Sequence, residues 1–413
     1  MMPRVMTRYS LVLLTVVALA YLMPAIFDTV FPRQSTNPLL LYSPVLNQFI
    51  YQESLGNHQF HYQDEAGRTY TRSEFEQQLP FLYYRNLELK GLLPPSIGGQ
   101  AFDAETIRAE RHAITIHSRR LKGHFPLLDL YPLFNNDPRV AIMPFPEDMF
   151  RFTDQTMEFI NADDNRTDQE LTESFTSALQ EAGFVFPATV IGGNPTNLKP
   201  FDDGYFVRDS RGHVFHIRRV LNQPEVVKTS IDPGLDILDI IVSEHHRREL
   251  HGTIITTSGK VYLVTRESYR LISLPISGYD PGSMDFKLLI DPLHRTVTIS
   301  NDQIVHGVAM DTAYRPLRTF TLPNRDLTPV PVLFLREFFF PFEITFESPY
   351  RSQAALRLVS GGPWSFAGIL TALGLSFILR RRPPRHSGSW NDLAIIAMTG
   401  FYGLAAVHLL DET

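Results

Sequence analysis

Residues 199–220, KPFDDGYFVRDSRGHVFHIRRV, decide how this chain is read. Residues 205–208 and 213–220 each read as a short strand, and Asp209-Ser210-Arg211-Gly212 between them supplies turn chemistry. The stretch therefore predicts a hairpin. Similar signals continue downstream. Residues 253–257 and 261–265 flank the turn pair Ser258-Gly259, residues 269–274 add a strand, and 286–290, 296–300 and 304–309 give three more. Strands spaced by about 8–12 residues, with a turn signal in each gap, suggest a sandwich or a propeller. Recurring meanders favour a propeller-like or multi-hairpin domain, and no Trp-Asp or kelch signature sets a blade number. The expected fold class is mainly β with a few helices.

Upstream, residues 59–72 read as another hairpin. Ser73 and Glu76 form a capping box that opens a short helix, which Pro80 limits or restarts. Thr167 and Glu170 form a second box, before Leu171, Phe175, Ala178 and Leu179 on one helical face and a stop at Gly183. Gly192-Gly193 lacks the lysine and spacing of a phosphate loop and reads as a turn.

A chain of 413 residues holds two ordinary domains or one large β domain. Its 30 Pro and 24 Gly fit many turns rather than long helices. The net charge of −6 gives no basic surface for nucleic acid. The absence of cysteine excludes disulfides, thiolate metal sites and a cysteine nucleophile.

Three apolar runs lie at the ends of the chain. Residues 11–27 are unbroken, and Tyr9 and Ser10 extend them close to the ~20 residues a bilayer requires. Arg4 and Arg8 precede this run and Asp28 follows it, which keeps the N-terminus in the cytoplasm. Ala18-Leu19-Ala20 resembles a signal-peptide cleavage site, but the run continues to Phe27 and favours a retained anchor. Residues 364–379 and 393–410 are the other two runs. Arg380, Arg381, Arg382 and Arg385 between them fix that loop as cytoplasmic.

The expected layout is a cytoplasmic N-terminus (1–8), a transmembrane helix (9–27), an exported β-rich domain (28–362), a second helix (363–379), a cytoplasmic basic loop (380–391) and a third helix (392–410). That describes a multi-pass protein of the cytoplasmic (inner) membrane, with its large domain on the periplasmic or extracellular side. Residues 333–346, LFLREFFFPFEITF, are too charged to span and read as closing strands or as a segment against the membrane surface.

The segments LPFLYYRNL, then GFVFPATVIGGNPTNLKPFDDGYFVRDSRGHVFHIRRV, then LPISGYDPG resemble the bacterial membrane proteins grouped as domain-of-unknown-function family 4857. The order FDDGYF, turn, VFH is the most specific part. Members of that family are often encoded beside ATP-binding-cassette transporter subunits, so the resemblance implies an accessory membrane protein, and it carries over no catalytic residue.

Asp202, Asp203 and Asp209 surround the central hairpin, with His213 and His216 on its second strand. Together they offer an oxygen-rich cation site or a small acid–base cluster. Positions 213 and 216 are an odd number apart and point to opposite faces of a regular strand, which argues against one shared metal. Turn-forming aspartates and packed histidines are the simpler reading. Glu244-His245-His246 through His251 lacks the H-E-x-x-H order and reads as a charged surface connection. His408 is a polar side chain in the third apolar run, two residues from its end. No cofactor motif, complete metal ligand set or G-x-S-x-G elbow is present.

The function expected is that of a non-enzymatic, membrane-anchored accessory protein with an exported binding domain. Its partners would be the lipid bilayer and other membrane subunits, such as a transporter permease. A membrane-anchored periplasmic hydrolase and a ligand sensor are the alternatives.

Overall fold

A computed structural model describes residues 2–56, 58–121, 129–137, 139, 143–346, 356–380 and 390–410. The chain divides into two compact units. One comprises residues 38–121 and 127–323; the other comprises 1–37, 122–126 and 324–413.

The first unit is built from antiparallel meanders. Its first sheet holds Leu39–Ser43, Gln48–Gly56, Gln59–Asp64 and Thr69–Tyr70. The second holds Tyr131–Pro132, Asp148–Phe152, Met157–Asn161 and Arg166–Asp168, and the third Val190–Gly193, Tyr205–Arg208, Val214–Val220 and Gln223–Lys228. The fourth runs Ile237–Val242, Leu250–Thr256, Val261–Thr265 and Leu271–Ser273. The fifth runs Asp285–Ile290, Arg295–Ser300, Ile304–Met310 and Pro316–Pro323, and takes His112–Ile116 from far upstream onto its first edge.

Hairpins alone are marginal in water, so the cores shared between sheets carry this unit. Phe150 and Phe159 of the second sheet pack with Phe215 and Ile217 of the third. Phe206 and Val214 of the third meet Ile240 and Ile254 of the fourth. Leu263 and Ile255 of the fourth meet Phe286 and Val297 of the fifth, and Val305 and Leu322 of the fifth meet Leu40 and Phe49 of the first. Each such side chain contributes about 1.5–3 kcal/mol when fully buried.

The central hairpin forms as expected, and its register sets Phe206 opposite His216 and Val207 opposite Phe215. Three local readings change. The first reciprocal cap is Thr71 with Glu74, not Ser73 with Glu76: the Thr71 amide donates to Glu74 Oε2 at 2.8 Å and the Glu74 amide to Thr71 Oγ1 at 3.3 Å. Pro80 then opens a new helix, Pro80–Leu89. At Gln169–Glu181 the cap is Asp168, whose carboxylate accepts from the Leu171 amide at 2.9 Å, and Phe175 and Leu179 are buried as expected. Gly192-Gly193 ends a strand rather than making a turn. A Cβ on Gly192 would lie 2.2 Å from the Ile240 carbonyl oxygen, so the third and fourth sheets approach closely only over glycine.

The second unit is largely helical. The β unit ends at Pro323, and residues 324–413 fall in the other unit with residues 1–37. The aromatic segment, expected as closing strands or as a segment against the membrane surface, begins as a helix, Val330–Phe339, and then forms the strand Phe342–Phe346, paired with Leu356–Ser360.

The N-terminal helix, Met2–Val30, carries Arg4 and Arg8 near its start. Val12, Val16 and Ala20 are buried on one face of it with Phe340, Ile395 and Tyr402. Arg8 pairs with the buried Asp392 at 3.2 Å. Arg336 makes a two-pronged bond to Asp28, at 2.8 and 3.0 Å.

Three spanning helices were expected; among the described residues one helix, over Met6–Val30, is long and apolar enough to cross a membrane. Ser365–Arg380 has 16 residues and rises about 24 Å against a hydrocarbon core of about 30 Å. The third run is two short helices, Trp390–Thr399 and Phe401–Leu409. They break at Gly400, whose φ of +60° and ψ of −129° suit glycine. A Cβ on Gly403 would lie 3.0 Å from the Ile396 Cα, so the two helices fold tightly against each other. Over the described residues each is about half the length that a bilayer span requires. Arg380 ends the helix Ser365–Arg380, while Arg381, Arg382 and Arg385 of the expected cytoplasmic loop lie outside the described residues.

Candidate functional site

Asp202 and Asp203 precede Gly204, which has a φ of +65°. A Cβ there would fall 2.1 Å from the Ile217 carbonyl oxygen, so only glycine fits where the chain enters the strand Tyr205–Arg208. The turn sends the two neighbouring carboxylates into different networks.

Asp203 is fully buried. Its Oδ2 accepts from His251 Nδ1 at 2.6 Å, and its Oδ1 is held by the Arg266 guanidinium. Its own carbonyl oxygen accepts from His216 Nε2 at 2.6 Å. A carbonyl only accepts, so His216 carries its proton on Nε2, and its Nδ1 accepts from the Tyr269 hydroxyl at 3.0 Å. The His216 ring stacks on Phe206 at 4.3 Å and the His251 ring on Tyr269 at 5.1 Å.

Burial lowers the His216 pKa to about 4, against the pull of Asp203, and keeps the ring neutral. Burial also works to raise Asp203, but the His251 hydrogen bond and the charges of His251 and Arg266 outweigh it and hold the carboxyl below its ordinary range.

Asp202 enters a second network around Lys199. The Lys199 ammonium donates to Asp202 Oδ1 at 2.5 Å, to Glu244 Oε1 at 2.9 Å and to the Asn194 carbonyl at 2.8 Å. It also lies 4.5 Å over the Phe134 ring. Glu244 in turn accepts from Asn194 Nδ2 at 2.6 Å and from the Asp203 amide at 3.1 Å, which ties the two networks together. All three charged side chains are buried. Burial raises Asp202 and Glu244 above their usual values despite Lys199.

The remaining expected residues lie apart. Asp209 is a turn residue, accepting from the amides of Arg211 at 2.9 Å and His213 at 2.8 Å. His213 is part-exposed, with Nδ1 3.7 Å from Asp209. It sits away from His216, as the odd spacing requires. His408 Nε2 is buried without a hydrogen-bond partner in the helical unit.

The segment expected as a surface connection is corrected in part. Residues 244–249 are not helical, Glu244 is buried on Lys199, and His251 stands in the strand Leu250–Thr256 as the partner of Asp203. Lys199, Glu244, His251, Arg266 and Tyr269 were missed because the contacts that gather them span up to 63 residues. The available signal was composition: each is a polar residue in or beside a β-rich segment.

Nitrogen or oxygen atoms of Asp203, His216 and His251 all lie within 4.8 Å of one another, as a metal site would require. The donor set is already committed. Asp203 binds His251 through one oxygen and the Arg266 cation through the other, and His216 spends both nitrogens. A dication here would face a fixed guanidinium. Beside the networks a cavity of about 470 Å³ opens, lined by Lys199, Asp202, Arg218, Arg248 and Arg266. Arg248 and Arg266 lie over the Phe201 ring, at 4.6 and 4.7 Å.

No curated protein shows significant sequence similarity to this chain. Three solved structures align with it at a TM-score of 0.22. One is PorZ, a surface component of the type-IX secretion system of Porphyromonas gingivalis, at 10% identity over 80% of this chain and 32% of that one. Another is the dihydro-heme d1 dehydrogenase NirN, at 8% identity over 57% of each chain. A prolyl endopeptidase aligns at 11% identity over 82% of this chain and 52% of its own. This chain thus spans about a third of the first and little more than half of the other two, and at that score none carries an argument about its fold or activity. The family described as Domain of unknown function (DUF4857) matches residues 39–310, more than half of the sequence, and the chain belongs to that family.

Proposed function

We propose that this protein is a membrane-tethered accessory subunit that binds through its β unit and catalyses nothing itself. The observation that carries the tether is the N-terminal helix. One face of it is part of a core with Phe340, Ile395 and Tyr402, and Arg8 and Asp28 tie both its ends to later segments. A cleaved signal peptide has no such partners to lose. The remaining faces expose Leu13, Leu14, Leu22 and Ile26, side chains suited to lipid. The test is the mass of the native chain in membranes washed with alkaline carbonate. A chain that keeps residues 1–30 and stays in the membrane supports the reading, and a soluble chain beginning near residue 21 refutes it.

The non-enzymatic role is supported by the buried networks, whose carboxylates are spent on internal partners. The β unit is inferred to be propeller-like. Support comes from successive meanders sharing cores in chain order and from an upstream strand, His112–Ile116, completing the fifth sheet. The proposed partner is the permease of an ATP-binding-cassette transporter, which rests on what the family resemblance implies.

One observation favours a hydrolase as the second reading. His251 Nδ1 is oriented by Asp203, and its Nε2 has no hydrogen-bond partner among the described residues, as in a general base. Arg266 on the same carboxylate weakens that reading, because it competes for the charge that would stabilise an imidazolium.

A further inference from the structure

A second cavity in the β unit, of about 370 Å³, lies apart from the Asp203 and Lys199 networks. That size falls within the range of small-molecule pockets, about 300–1,000 Å³. Leu41, Leu79, Leu82, Leu289 and Ile290 give it an apolar wall. Its polar end gathers Arg108, Arg111, His112, His245 and Asp291.

Arg111 distinguishes this cavity. The side chain is half-buried and lies 5.5 Å over the Tyr84 ring, yet its guanidinium has no hydrogen-bond acceptor among the described residues. Buried cations are ordinarily paired. Asp291, the carboxylate lining the cavity, is turned to its own loop, where Oδ1 accepts from the amides of Leu293 at 2.8 Å and His294 at 2.7 Å. His112 gives Nε2 to Ser243 Oγ at 2.9 Å and stacks on His245 at 4.2 Å. Burial lowers the His112 pKa to about 4, so the ring is neutral and brings no charge of its own. The Arg111 guanidinium therefore feels the Asp291 charge but has no carboxylate in salt-bridge contact among the described residues, and its paired donors stay open to the cavity.

We propose that this cavity binds an apolar small molecule bearing one carboxylate. The carboxylate sits on Arg111 through paired N–H donors. The body lies against Leu79, Leu82, Leu289 and Ile290. A fatty acyl chain from the membrane and a soluble aromatic acid share this chemistry.

The full-length protein in lipid nanodiscs, titrated calorimetrically against empty nanodiscs, tests it. Decanoate and 2-naphthoate are the probes, and 1-decanol and 2-naphthamide are their uncharged counterparts. Saturable binding of either acid supports the proposal: decanoate alone points to an acyl chain, naphthoate alone to an aromatic acid. Arg111→Gln should then weaken the bound acid at least tenfold, while Arg111→Lys, which keeps the charge and loses the fork, should fall between. Leu82→Trp should fill the cavity and abolish binding while leaving Arg111 in place. No binding of either acid, uncharged counterparts binding as tightly as the acids, or full affinity in folded Arg111→Gln would overturn it.

Discussion

Asp203 is fully buried and bonded to His251 and Arg266, so removing its charge leaves the Arg266 cation without its carboxylate. Asp203→Asn should lower the stability of the β unit by about 3–5 kcal/mol. Asp209→Asn, which can keep the oxygen that accepts from the Arg211 and His213 amides and puts at risk the bond from the Val185 amide, should cost about 1 kcal/mol. Denaturant midpoints of the two variants compare them directly, and equal midpoints would dissolve the distinction between network and turn.

His216 adds a pH signature. Its folded pKa of about 4 lies below the ordinary value of about 6.5. Between those limits the unfolded chain binds the extra proton, so this histidine makes stability fall as pH drops from 6.5 to 4. His112 acts in the same sense. Asp291, raised to about 6 by burial, opposes both, because its folded form binds the proton first. His216→Gln should flatten the acid slope relative to the parent chain, read from thermal midpoints across that window. An unchanged slope would mean that His216 is not held neutral. At this scale the sequence was partly legible. The odd spacing separated His213 from His216, and turn chemistry identified Asp209. Nothing local distinguished Asp202 from Asp203, since Lys199 is close in sequence to both and His251, which takes Asp203, comes from another segment.

The elements were legible where the signal is short-range. The hairpin at 205–220 and the buried face of Gln169–Glu181 follow from alternation and helical spacing. The first helix cap was misplaced by two residues because TRSEFE contains both T-x-x-E and S-x-x-E. The structure chooses Thr71 and Glu74. Thr71→Ala should therefore destabilise by about 1 kcal/mol and Ser73→Ala by much less. The reverse order in unfolding measurements would restore the other cap. Gly192 and Gly400 mark where local reading stops. A glycine at a sheet contact or at a fold between helices looks, in sequence, like any turn residue.

For the whole molecule, three apolar runs look alike as compositions, and only packing tells them apart. The first is a helix of full length joined to a core, the second is a short helix, and the third folds back at Gly400. Asp392, on that folded pair, is buried and answers Arg8. Asp392→Leu should loosen the N-terminal helix from its unit, which protease cleavage near residue 30 in membranes would detect. Unchanged resistance would show that the apolar contacts suffice.

On the proposed reading the protein serves a membrane partner instead of carrying out a reaction alone. Crosslinking in cells, followed by purification of the full chain in mild detergent and mass spectrometry, tests it most directly. The expected result is a stoichiometric transporter permease with its ATPase. A chain recovered alone after repeated crosslinking would contradict it, and would turn attention to His251 as a general base.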